Sequence, residues 1–150
     1  MAIKKRQKRK AIIDRLTVYL TARSEIRFAI LFGSWARGDA NTLSDIDVAV
    51  YVDTERMHGP YPYGYKAEVL ADLLKVLQTN TVDLVILNTA PPLLQTEVID
   101  MGITLVCRDN MEYEQFRAHA HEAYEATHVC LKEQEAALVQ RFEAGTFGKP

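Results

Sequence analysis

Apolar positions in this chain fall into two periods, one helical and one extended, and their alternation lays out the elements. From about Lys5 to Thr21, the residues Ile12, Ile13, Leu16, Tyr19 and Leu20 recur at helical spacing. "IRFAILF" reads as a buried strand, rich in branched and aromatic residues, that stops at Gly33. A short helix is expected over Ser34 to Arg37, ended by Gly38. "DIDVAVYV" is the second strand, and "DTERMHGPYPYGY" is a loop punctuated by Gly59, Pro60, Pro62 and Gly64. In "YKAEVLADLLKVLQ" the residues Val69, Leu70, Leu73, Leu74 and Leu77 form one helical stripe. "TVDLVIL" is the third strand. Pro91 and Pro92 open a helix to about Asp100, because proline suits a first turn. Gly102 ends it, "ITLVC" is the fourth strand, and Met111 to Phe142 reads as one or two helices.

This order predicts an α+β fold: a four-stranded mixed sheet with helices packed mainly on one face. Strands separated by helices are free to pair in parallel, and the short Gly33 to Leu43 connection also permits an antiparallel pair. No repeat, low-complexity segment or Pro/Gly linker divides the chain, so residues 1–150 read as one domain with a helical segment from about residue 110.

Composition narrows the class. With 48% hydrophobic and 25% charged residues the chain is an ordinary globular protein. It lacks an apolar run of the roughly 18 residues needed to span a bilayer. The charged start "MAIKKRQKRK" is not followed by the apolar region of a secretory signal, which favours the cytoplasm. Six of the first ten residues are Lys or Arg, so the net −2 of the whole chain leaves −8 on the remainder. Such an arm either touches nucleic acid or an acidic partner, or is a solvated helix start. Cys107 and Cys130 make neither a CxxC pair nor a disulfide framework and are expected to be reduced.

The chemistry concentrates in "LFGSWARGDANTLSDIDVAV", residues 31–50. Alternation along the second strand puts Asp45, Asp47, Ala49 and Tyr51 on one face and Ile46, Val48, Val50 and Val52 on the other. Two carboxylates spaced roughly 7 Å apart suit a divalent cation such as Mg²⁺, which takes one or two carboxylates together with water and phosphate oxygens. Carboxylates in an apolar strand cost free energy unless a charge compensates them. Asp83, in "TVDLVIL", becomes a third member if its strand lies beside the second. Gly33 lets a backbone approach a phosphate closely. Ser34 adds a hydroxyl at a helix start, and Arg37 follows within helical reach of a phosphate oxygen.

Gly33, Ser34, Asp45 and Asp47 fit a G-S-x(10)-D-x-D pattern, with Ala36-Arg37-Gly38 and Ser44 as companions. This signature resembles that of the DNA polymerase β-like nucleotidyltransferase superfamily, with "VDLVIL" similar to its third acidic strand. The match runs from roughly Ile26 to Cys107, and the small size is most similar to the minimal nucleotidyltransferase (MNT) antitoxins paired with HEPN-domain RNase toxins. The resemblance implies a polymerase β-like palm. It implies Asp45, Asp47 and Asp83 as catalytic residues and ligands of two Mg²⁺ ions, and Gly33, Ser34, Arg37 and Ser44 as nucleotide-binding residues. It further implies transfer of AMP from ATP to a tyrosine of a HEPN toxin. The residues alone leave open an acceptor that is a small molecule or RNA end, or a non-enzymatic module that binds the toxin.

Three other features were weighed. His119, His121 and His128, near Cys130, lack a carboxylate or cysteine at the spacing of a tetrahedral site and read as structural or exposed. Tyr61, Tyr63 and Tyr65 either stack on a base, meet a partner or pack their own loop. Trp35 reads as a packing residue.

Overall fold

A computed structural model of the chain describes residues 2–41 and 43–143. Helix α1 spans Ala2–Thr21, strand β1 Ile26–Phe32, the single turn α2 Ser34–Arg37 and strand β2 Ile46–Val52. They are followed by α3 (Tyr65–Leu77), β3 (Val82–Ile86), α4 (Pro92–Met101), β4 (Ile103–Cys107) and α5 (Asn110–Glu143). The strands form one sheet in the order β3-β2-β1-β4. β1 is antiparallel to both β2 and β4, and β2 is parallel to β3. The mixed sheet expected from the sequence is therefore present, and the Gly33 to Leu43 connection does join an antiparallel pair.

Strand alternation builds two cores. On one face Ala29, Leu31, Val48, Val50 and Leu84 pack against Leu16 and Leu20 of α1 and Val69, Leu73 and Leu77 of α3. On the other, Phe28, Ile30 and Ala49 pack against Val98 and Ile99 of α4 and Ala120 of α5. Helices thus cover both faces, which corrects the expectation that they lie mainly on one. The physical reason is aromatic. Phe28 stacks on Tyr51 at 4.7 Å between ring centroids, and Tyr113 and Phe116 of α5 meet Phe28 edge-on at 5.2 and 5.3 Å. The strand face that begins with Asp45 and Asp47 therefore runs within two residues into a second apolar core, and that core needs a cover.

Backbone-directed side chains tie the far end of the sheet. Arg108, just after β4, donates to the carbonyls of Ile26 (2.6 Å), Thr21 (2.8 Å) and Arg23 (2.9 Å), tying the end of α1 to the start of β1. The Asn88 amide pairs with both the N–H (2.9 Å) and C=O (2.8 Å) of Val52, as a neighbouring strand would. Glu25 is buried, yet it accepts from Arg23 at 2.6 Å and from Tyr65 at 3.1 Å, and Tyr19 donates to Asp72 at 2.7 Å. Burial first, and then the neighbouring acidic groups, push the Tyr19 and Tyr65 hydroxyls well above the ordinary phenol range. Both remain neutral donors at any physiological pH.

Helix α5 is a single helix. Its first turns are fixed by Arg27–Glu112 (3.0 Å) and by the aromatic cluster, and His121 Nε2 lies 3.0 Å from Asp100 Oδ1 on α4. Every side chain from Glu125 to Arg141 is exposed, a stretch of roughly 25 Å of helix. His128 stacks on Tyr124. Cys107 and Cys130 are exposed free thiols. No helix among the described residues is long and apolar enough to cross a membrane.

Candidate active site

The carboxylates meet at one end of the sheet. In the parallel ladder Asp47 is the direct partner of Asp83, and across the antiparallel ladder it faces Phe32. Neighbouring strands lie roughly 4.8 Å apart, so Asp47 and Asp83 project side by side from the same face. Asp45 lies just before β2 begins. Asp45 and Asp83 are exposed and Asp47 is half-buried, so only Asp47 carries the burial cost that the sequence suggested for the strand carboxylates. Its carboxyl is held above the ordinary carboxylate range, first by burial, then by the negative charges of Asp83 and Asp45, while the Arg37 guanidinium pulls it down. Four of the residues singled out from sequence therefore share one electrostatic neighbourhood.

Gly33 forms the wall of that neighbourhood. Its φ of 72° is one that L side chains rarely adopt, and a Cβ built there would overlap the Asp47 carboxylate. Ser34 opens the α2 turn. The Gly33 carbonyl accepts from the N–H groups of Ala36 and Arg37 (both 3.1 Å), and the Ser34 carbonyl accepts from Gly38 (3.0 Å). The first amides of such a turn have no partner within it. Arg37 Nε lies 3.3 Å from Asp39 Oδ2, with both groups exposed. Ser44 closes the loop before Asp45: its hydroxyl accepts from the Asn41 N–H at 3.0 Å, and its carbonyl lies 3.4 Å from Trp35 Nε1. Trp35 is buried in the first core, as its packing role requires.

Two contributors were missed in the sequence. Arg9, in the basic start of α1, donates from Nε to the Trp35 carbonyl (2.8 Å) and from a terminal nitrogen to the Ala36 carbonyl (2.9 Å). Lys8 lies over the Trp35 ring at 5.9 Å. The basic arm thus clamps the turn that carries Gly33 and Ser34. No local pattern signals a contact between residues 26 and 27 positions apart. The second contributor is Glu97 of α4. With Phe32, Gly33, Arg37 and Met101 it lines a cleft of about 430 Å³ on the Asp47 side of the sheet. Gly102 brings α4 this close, because a Cβ there would strike Ile30 and the Leu31 carbonyl.

The tyrosine loop lies elsewhere. It follows the opposite end of β2, five strand residues or roughly 17 Å along the strand from Asp47. Tyr61 instead packs edge-on against Tyr65 at 5.4 Å and accepts from the His58 N–H at 3.1 Å. Tyr63 is exposed.

The donor set favours a hard cation. All three side chains are carboxylates, mutually repelling, with Arg37 the cation that lowers the Asp47 pKa. Among the described residues no group of three or more His, Cys, Asp or Glu side chains is placed to hold a metal ion. Mg²⁺ takes one or two carboxylates completed by phosphate and water, and the paired Asp47 and Asp83 fit that smaller requirement.

Known proteins share this fold. No curated protein sequence matches the chain significantly. Among solved structures, it is similar to a chain of a toxin–antitoxin complex with AMP-PNP: 23% identity, TM-score 0.65, covering 87% of this chain and 98% of that one. It is similar to a chain of the tri-AMPylated Shewanella oneidensis HEPN toxin in complex with MNT antitoxin, at 21% identity and TM-score 0.59, covering 90% and 98%. A chain of the toxin–antitoxin MntA-HepT aligns at 22% identity and TM-score 0.56, covering 92% and 98%. At these identities the likeness concerns the fold. Residues 14–111, from within α1 to the start of α5, match the family described as "Polymerase beta, Nucleotidyltransferase". The chain therefore belongs to the polymerase β nucleotidyltransferase family.

Proposed function

We propose that this protein is an antitoxin-type protein adenylyltransferase of the cytoplasm, which transfers AMP from ATP to a tyrosine of a cognate HEPN RNase toxin and so silences it. The observation that carries the reading is the pairing of Asp47 with Asp83 beside Gly33, with Asp45 adjacent: a concentrated negative charge at one end of the sheet. The acceptor rests on the company kept by the similar folds, one of which is bound to AMP-PNP and another to a tri-AMPylated HEPN toxin.

In this reading Asp45, Asp47 and Asp83 would hold Mg²⁺, which when bound would neutralise phosphate charge and acidify the attacking hydroxyl. The chain's own residues do the rest. Gly33 leaves room for the triphosphate against the backbone, and Ser34 donates to it. Arg37 offsets charge that builds on the departing pyrophosphate. Ser44 and Arg9 hold the loop in place. Asp83 accepts the proton of the tyrosine hydroxyl as that oxygen attacks the α-phosphorus in line. The new bond joins the tyrosine oxygen to phosphorus, and the bond to the bridging oxygen breaks.

The test is incubation of the protein with ATP, Mg²⁺ and its co-purified partner, followed by intact-mass analysis. A gain of AMP on a partner tyrosine is the expected result. Labelling of an RNA end or a small molecule instead would reassign the acceptor. Tight partner binding without any turnover would reduce the protein to a binding module.

A further inference from the structure

The cleft beside the carboxylates holds a group that the triphosphate chemistry does not use. Glu97 lines it, is exposed, and has no hydrogen bond or ion pair among the described residues. Its neighbour along α4, Asp100, is by contrast engaged with His121. The remaining lining is divided. Gly33 and Arg37 belong to the phosphate corner, while Phe32 and Met101 offer apolar surface. Phe32 is the direct cross-strand partner of Asp47, so the cleft begins one strand away from the carboxylates, on the same face. A volume of about 430 Å³ falls within the roughly 300–1,000 Å³ range of small-molecule sites.

We propose that this cleft is the ribose subsite of the nucleotide, with Glu97 accepting hydrogen bonds from the 2′ and 3′ hydroxyls and Phe32 and Met101 flanking the sugar and base. The proposal rests on the nucleotidyltransferase reading of the Asp45, Asp47 and Asp83 corner. An ionised carboxylate only accepts hydrogen bonds, so the group it selects must donate. Phosphate oxygens are excluded, because they carry the same charge. A vicinal diol offers two donors, and a single carboxylate reading ribose hydroxyls is an established device on other nucleotide-binding folds.

The consequence is selection of ribonucleotides over their deoxy forms. Hydrogen bonds to a charged group are strong enough to give a preference of about ten-fold or more. The test is calorimetric titration of the full chain, with Mg²⁺, using ATP and 2′,3′-dideoxy-ATP, for the wild type, Glu97→Ala and Met101→Ala. Glu97 and Met101 are exposed, so both variants are expected to fold, and their circular dichroism would verify it. The wild type should bind ATP about ten-fold or more tightly than the dideoxy form. In Glu97→Ala that ratio should fall to about one through loss of ATP affinity, whereas Met101→Ala should weaken both nucleotides alike. A wild type that binds both equally, or a ratio that survives Glu97→Ala, overturns the ribose subsite while leaving the nucleotidyltransferase reading intact. Failure of the wild type to bind either nucleotide would overturn both.

Discussion

Asp47 is where function and stability pull against each other. Burial and the two neighbouring carboxylates raise its pKa in the folded state. A carboxyl raised in this way is held protonated longer by the folded chain than by the unfolded one. Stability is therefore complete below the unfolded pKa and is lost as pH rises through the folded value. At neutral pH, without ligand, Asp47 is a destabilising charge. Asp47→Asn should accordingly raise the melting temperature of the ligand-free protein near neutrality while abolishing nucleotidyl transfer. That stabilisation should shrink as pH falls toward the ordinary carboxylate range, about 4. Thermal melts across this window read the first effect and a transfer assay the second. An unchanged or lowered melting point at neutral pH would show that Asp47 is compensated within the protein itself. Gly33 is the second decisive residue. Gly33→Ala must both adopt a positive φ and displace the Asp47 carboxylate. It should cost at least about 1 kcal/mol in urea denaturation and eliminate ATP binding.

At the scale of elements, distant side chains fasten the site to the scaffold. Arg9 carries the clamp from α1 to α2 through two carbonyls. Arg9→Ala should cost about 1 kcal/mol of stability. It should weaken ATP binding several-fold while leaving Asp45, Asp47 and Asp83 in register; an unchanged ATP affinity would separate the clamp from the site. At the opposite end, Glu25 is the buried partner of Arg23, whose guanidinium also faces the rings of Tyr19 and Tyr65. Removing it leaves Arg23 only the longer ion pair with Asp72 at 3.4 Å, so Glu25→Ala should cost about 2 kcal/mol. This loss should appear in equilibrium unfolding and not in the ATP affinity of the folded protein. The elements themselves were legible in the sequence, because apolar period and Gly/Pro punctuation are local signals. The α2 turn, the α3 stripe and the proline start of α4 lie where that pattern puts them. Arg9 and Arg108 were not legible, since their partners lie far away in sequence, and Glu97 was not, since the cleft it lines is assembled from segments distant in sequence.

For the whole molecule, sheet order decides what the site is. The sequence offered Asp83 as a third carboxylate only on condition that its strand lay beside β2, and the parallel β2–β3 pairing meets that condition. The same topology sends the tyrosine loop to the far end. The strand face behind the aspartates becomes a second core, because Phe28 and Tyr51 stack there and draw α4 and α5 over it. Had that face been polar, as alternation from Asp45 suggested, α4 would have had no reason to approach Phe32, and the cleft beside the site would not exist. Beyond its His121 contact with α4, helix α5 runs on with every side chain from Glu125 to Arg141 exposed, so the fold carries one long uncovered helix.

The most direct measurement of the central claim follows phosphorus from two labelled forms of ATP, one carrying the label at the α position and one at the γ position. Each is incubated with Mg²⁺, the partner protein and either the wild type or Asp45→Asn. Nucleotidyl transfer at this corner predicts α-label on a partner tyrosine, γ-label released with pyrophosphate, and neither on the partner with Asp45→Asn. Transfer of the γ-label, or α-label transfer that persists undiminished in Asp45→Asn, would contradict the account.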